Sequence, residues 1–186
     1  MEVQVPLLVL AIAITIDLAF GEMPNIFHPV VWIGSLIQRI TIVCERATRK
    51  SHTSQKYLCG LVLALICISC AAVTGIMLNV LTSQYQIAGI FVTAYFLKST
   101  FSIRSLVSSS LLICRELSAN DSVGARSDLI ALVSRDTSGL NEPQIASAAI
   151  ESTAENFVDS IFSPILYFAL FGIPGALVYK AINTLD

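Results

Sequence analysis

From Leu58 to Val80 the chain runs for 23 residues without one charged side chain. A helix rising about 1.5 Å per residue needs about 20 such residues to cross the hydrocarbon core of a bilayer. This run therefore fixes the class: an integral membrane protein, in which lipid-exposed backbone must satisfy its own hydrogen bonds. Composition agrees. The chain is 55% hydrophobic and 13% charged, with a mean hydropathy of +0.76, where an ordinary soluble domain carries about 25% charged residues. The expectation is an all-α, polytopic helical protein forming one membrane domain. Membrane segments are expected near residues 3–20, 58–80, 87–113 and 161–182.

The first of these, Val3 to Phe20, lacks the basic start and small-residue cleavage site of a signal peptide. Pro24 and Pro29 then forbid a continuous helix, and Val30 to Ile37, with Trp32, reads as an interfacial segment. Arg39, Arg46, Arg49, Lys50 and Lys56 follow, five of the chain's 11 basic residues. The positive-inside rule places residues 39–56 in the cytoplasm and the N-terminus outside the inner (plasma) membrane. Residues 115–158, polar and rich in charge, are then cytoplasmic as well. The lipid bilayer is an implied partner. A net charge of -2 excludes nucleic acid as a main partner, because no basic surface remains for a phosphate backbone. Cys67 and Cys70 form a CxxC inside the apolar run, where they read as small buried hydrophobes, and no disulfide framework is indicated.

Polar chemistry concentrates between Ser134 and Asp159. Asn141 is the expected N-cap of a helix, with Pro143 in its first turn and Gln144 in the capping-box position. At about 100° per residue, Glu151, Glu155 and Asp159 stay on one face, with Ser152, Asn156 and Ser163 at its edge. Ala146, Ile150, Ala154, Phe157 and Ile161 take the opposite face. On a solvated surface three acids so spaced cost a few tenths of a kcal/mol. Enclosed, two carboxylates about 6 Å apart repel by roughly 3 kcal/mol, so a cation must neutralise them or one must hold a proton. Upstream, Asp136, Thr137 and Ser138 sit close to that helix start, where backbone N–H groups favour an anion such as phosphate.

Three further residues stand out. Asp17 places a carboxylate in a spanning segment, where such groups face the interface or a polar cavity. His28 is a candidate ligand or proton carrier, and Lys98 is expected to snorkel or to line the cavity. Beyond Asp159, Pro164, Gly172, Pro174 and Gly175 interrupt an apolar stretch whose one charge is Lys180, the pattern of a broken helix lining a cavity.

The segments LVSRDTSGL, ASAAIESTAENFVDSIFSPILY, GIPGALVYKAINTLD and DLAFGEMPNIFHPVVWIG, in that family's order, resemble the adenosylcobinamide-phosphate synthase family of cobalamin biosynthesis. Members continue after NTLD with a stretch starting SMVGY, so the resemblance makes this chain an N-terminal portion. It implies an ATP-dependent amide ligase. Such an enzyme joins a corrinoid substrate, adenosylcobyric acid, to aminopropanol or its O-phosphate, with Mg²⁺ and with other corrinoid-assembly enzymes as possible partners. In that setting Glu151, Glu155 and Asp159 are the candidates to hold the metal. Arg135, Asp136 and Thr137 would receive phosphate, and Asn156 and Asn183 would orient amides. Glu151 and Glu155 count among the catalytic candidates, and Asp17 and His28 are candidates for the base that deprotonates the amine. No GxxxxGK[ST] loop occurs, so a nucleotide would need another cradle. An ion-coupled transporter subunit and a non-catalytic membrane sensor are the alternative readings.

Overall fold

The computed structural model describes residues 4–48, 53–133 and 136–185, and these contain no strand. Helix α1 (Gln4–Phe20) leads through a 3₁₀ turn (Asn25–Phe27) into α2 (Pro29–Thr48), α3 (Thr53–Gln84) and α4 (Gln86–Lys98). Then come α5 (Ile103–Ser118), α6 (Ser122–Leu129), α7 (Glu142–Phe157), a π turn (Val158–Phe162) and α8 (Ser163–Leu185). Three stretches among the described residues are long and apolar enough to cross a membrane: Ser54–Gln84, Gln86–Ser118 and Glu142–Leu185. The shorter α1 is apolar too. The protein is a helical membrane protein.

Helices α1, α3, α4 and α8 share one core, built on Ala13, Ala71, Leu97, Phe168 and Leu177. A smaller core joins α5, α6 and α7 through Ile113, Leu129, Ile145 and Ala148. Lipid tails are as apolar as these side chains, so close packing holds the spanning helices together rather than exclusion of water. At Gly75 the packing reaches backbone contact, for a Cβ there would lie 2.4 Å from Pro174 Cα.

The capping box at Asn141 and Gln144 is present, both of its hydrogen bonds included. Elsewhere local chemistry moves the expected boundaries. Pro29 opens α2 at a position where its missing N–H costs nothing, and this helix continues to Thr48 through much of the expected basic loop. The expected helix over 87–113 is broken at Ser99–Ser102. The Ser99 and Thr100 hydroxyls donate to the Phe96 and Leu97 carbonyls at 2.6 and 2.7 Å, satisfying the end of α4. The polar stretch after Arg115 holds α6, capped by Asp121, whose side chain accepts from Gly124 N–H at 2.9 Å. Cys59 is disulfide-bonded, which corrects the expectation of unlinked cysteines, while Cys67, Cys70 and Cys114 are free.

The helix after Asp159 is broken at one point. Gly172 has φ 66° and ψ -161°, a conformation open to glycine and strained for side chains with a Cβ. A straight helix would separate Asp159 and Tyr179 by about 30 Å. Instead the Tyr179 hydroxyl lies 3.5 Å from Asp159 Oδ1, and the Tyr167 and Tyr179 rings stack with centroids 4.9 Å apart. The chain folds back at Gly172, bringing the second half of α8 beside the π turn.

Candidate active site

Helix α7 presents Glu151, Ser152, Glu155 and Asn156 to a polar cavity of about 500 Å³. The π turn adds Asp159, and Leu132 and Val133 close the far wall. Asn156 is held in place, its Nδ2 donating to the Ser152 carbonyl at 2.8 Å and to the Leu132 carbonyl at 3.4 Å. Ser152, at the edge of the acidic face, is buried beside the contact that Ile145 and Ala148 make with α5 and α6. The face opposite the acids is exposed at Ile150, Ala154 and Phe157 and buried at Ile161. Ile150 is 71% exposed, and with Ala146, Ala154, Phe157 and Ile161 it faces α5 across an apolar groove of about 930 Å³.

A second, smaller cavity of about 100 Å³ shares Leu132 and Asn156 with the first, and Ser102, Ser105, Ser109 and Ser160 line it. The wider π turn explains how Ser160 takes part. Extra residues in a π turn shift the helical hydrogen-bond register and leave a carbonyl free, and the Ser160 carbonyl accepts from Ser102 N–H at 3.2 Å.

The expected phosphate loop is satisfied by local bonds. The Thr137 hydroxyl donates to the Arg126 carbonyl at 3.0 Å, and Asp136 Oδ1 accepts from Ser138 N–H at 2.9 Å. That backbone bond holds the Asp136 carboxyl below its ordinary range. Arg135 lies outside the described residues.

Asp17 and His28 belong to another cluster. Asp17 is 1% exposed and Lys98 is wholly buried, with Lys98 Nζ 3.2 Å from Asp17 Oδ1 and 3.9 Å from Glu22 Oε2. The first contact lies off the line of a hydrogen bond, so it is an ion pair held by charge alone. His28 Nε2 stands 3.7 Å from Glu22 Oε2, and His28 Nδ1 is buried without a hydrogen-bond partner. Burial pushes the His28 imidazole below its ordinary pKa, with Glu22 opposing and Lys98 and Lys180 reinforcing the shift. The Tyr95 hydroxyl, donating to the Phe27 carbonyl, ties this loop to α4.

Lys180 connects the two clusters, being within electrostatic reach of both Glu22 and Asp159. Asn183 stands one turn beyond Tyr179 on the same helix face and is half-buried. Fold reversal at Gly172 thus gathers α7, the π turn, the end of α8 and the loop after α1 into one neighbourhood. Among the described residues, no group of three His, Cys, Asp or Glu side chains is arranged to hold a metal ion. The acidic wall is an open one.

Residues 10–186, nearly the whole chain, match the family model described as CobD/Cbib protein. The chain belongs to the CobD/Cbib family. It is 36% identical over 181 residues to the cobalamin biosynthesis protein CobD of Dehalococcoides mccartyi, covering 97% of this chain and 58% of that protein. A probable cobalamin biosynthesis protein CobD of Pyrococcus furiosus is 38% identical over 177 residues, covering 95% of this chain and 58% of that protein. For the corresponding Methanothermobacter thermautotrophicus protein the identity is 37% over 178 residues, covering 96% and 56%. The chain thus spans less than two thirds of the length of these CobD relatives. No solved structure matches it.

In this CobD/Cbib chain, sequence reasoning left Glu22, Arg104 and Tyr179 unassigned and gave Lys98 and Lys180 no partners. The signal was present for the two lysines, each a lone charge in an apolar stretch. It was absent for Tyr179, which reaches Asp159 through the reversal at Gly172.

Proposed function

We propose that this chain acts in cobalamin biosynthesis as the membrane-embedded part of an enzyme that forms an amide bond. The acid is adenosylcobyric acid, the amine is aminopropanol or its O-phosphate, and ATP is hydrolysed. The reading is supported by one observation above the rest: in a CobD/Cbib chain, three carboxylates and a fixed carboxamide line one open polar cavity. Through the positive-inside rule, the basic segment 39–56 supports a cytoplasmic position for that cavity.

Amide synthesis of this kind transfers the γ-phosphoryl group of ATP to the carboxylate with ADP leaving, and the amine then attacks the acyl phosphate as inorganic phosphate and a proton leave. Mg²⁺ usually keeps several waters and takes one or two protein carboxylates with substrate phosphates, so an open acidic wall fits it. When bound, it neutralises charge on phosphoryl oxygens. One or two of Glu151, Glu155 and Asp159 would hold it together with the substrate phosphates. Asn156, its amide N–H₂ engaged with backbone carbonyls, offers its Oδ1 to a substrate amide or amine. Lys180 sets a positive charge beside Asp159, where phosphate oxygens gather. His28, which its lowered pKa keeps neutral, is the base assigned to the proton that the attacking amine releases.

The full-length protein in nanodiscs, given the corrinoid acid, aminopropanol phosphate, ATP and Mg²⁺, is expected to form the amide with stoichiometric ATP hydrolysis. Because burial lowers the His28 pKa, the base is deprotonated at neutral pH. The acid limb of the kcat profile then falls below the ordinary imidazole value of about 6.5. His28→Gln removes that limb and leaves a flat, slower profile. A wild-type protein that consumes no ATP in the presence of all substrates contradicts the ligase reading, and an unchanged limb in His28→Gln contradicts the role given to His28.

A further inference from the structure

We infer that Asp17, Lys98 and Arg104 are positioning residues, a reciprocal clasp between the end of α1 and the start of α5 that fixes the Asp159 turn. Two helix ends meet here, and each supplies what the other lacks. The first N–H groups of α5 and the last carbonyls of α1 have no partners inside their own helices. Asp17 Oδ2 accepts from Arg104 N–H at 2.9 Å. In return the Arg104 guanidinium donates to the Leu18 and Ala19 carbonyls at 3.2 and 2.6 Å. Both charges also have the sign that suits the helix end they touch, an acid at the N-terminus and a base at the C-terminus.

Lys98 closes the clasp from the last residue of α4, 3.2 Å from the other oxygen of Asp17. Asp17 thus reaches across both sides of the Ser99–Ser102 break. The next link is direct, since Ser102 N–H bonds to the Ser160 carbonyl, one residue from Asp159. With its side chain 1% exposed and both oxygens engaged, Asp17 has no open face for a substrate amine. It acts through the backbone that it holds.

Removing one member of a buried ion pair leaves an uncompensated charge, whereas replacing both by neutral groups of similar shape costs little. The test is a double-mutant cycle in the full-length protein: Asp17→Asn, Lys98→Met and the two together. Melting temperature in nanodiscs is read beside kcat and KM for amide formation. Each single change is expected to lower the melting temperature by about 10 °C. The pair is expected to recover most of that loss and to return kcat to within about threefold of wild type. If a single variant does not insert, the yield of inserted protein carries the same comparison, with recovery expected in the pair.

Two results overturn the inference. One is a double variant that melts normally yet stays about 100-fold or more down in kcat, as loss of a general base would leave it. The other is a pair of melting losses that simply add. The activity arm rests on the amide-ligase reading, but the melting arm does not. A wild-type protein without ligase activity would refute that reading and still leave the clasp decided by melting.

Discussion

Exchanging Glu155 for glutamine in the full-length protein is expected to lower kcat for amide formation by about 100-fold or more, with membrane insertion intact. Glutamine keeps the shape and removes the charge. Glu155 is exposed towards the cavity rather than packed in either core, so the fold does not depend on it. It also sits one helical turn from Glu151 and from Asp159, and losing the middle carboxylate relieves a like-charge repulsion of a few tenths of a kcal/mol. The variant therefore melts at or slightly above the wild-type temperature. Loss of turnover without loss of stability separates a chemical role from a structural one. Unchanged turnover would remove the acidic wall from the mechanism.

Gly75→Val is expected to do the reverse, destroying the bundle before any chemistry is tested. A Cβ at this position would lie 2.4 Å from Pro174 Cα and 2.7 Å from Pro174 N, both backbone atoms that cannot step aside. Valine adds two more methyl groups. Helices α3 and α8 must separate, and overpacking in a tight core costs about 3 kcal/mol or more. That is a large part of the stability of a typical protein. The readout is the yield of monodisperse protein in detergent together with its melting temperature. A drop of about 10 °C or outright loss of the folded species is expected, and wild-type behaviour would mean that the α3 to α8 contact is looser than described.

Much of this organisation was legible in the residues, for identifiable reasons. The apolar run from Leu58 to Val80 needs nothing but its length to be read as a spanning helix. Asn141, Pro143 and Gln144 act within one helical turn, so the start of α7 was fixed by local hydrogen bonding. The grouping of Glu151, Glu155 and Asp159 on one wall followed from helical periodicity, and the π turn only re-aims its last member.

What the sequence hid was set by partners far along the chain. Asp17 could be read as reaching the interface or a polar cavity, and only the approach of Lys98 and Arg104 shows that it is buried and engaged. Thr137 looked open for phosphate because its partner, the Arg126 carbonyl, belongs to a helix that composition did not announce. Periodicity grouped Ile150 with Ala146, Ala154, Phe157 and Ile161, whereas Ile145 and Ala148 are the residues that join α7 to α5 and α6. Gly172 was visible as a break, but nothing local states the direction in which the chain leaves it.

That direction is what assembles the candidate site, because it returns Tyr179 and Lys180 to Asp159. Spin labels at Phe162 and Ile182, both exposed and 20 residues apart, measure it in a cysteine-free background. Reversal at Gly172 predicts a label separation below about 20 Å, whereas a helix continuing straight would hold the two positions about 30 Å apart. The short distance is the predicted result, and the long one would dismantle the site.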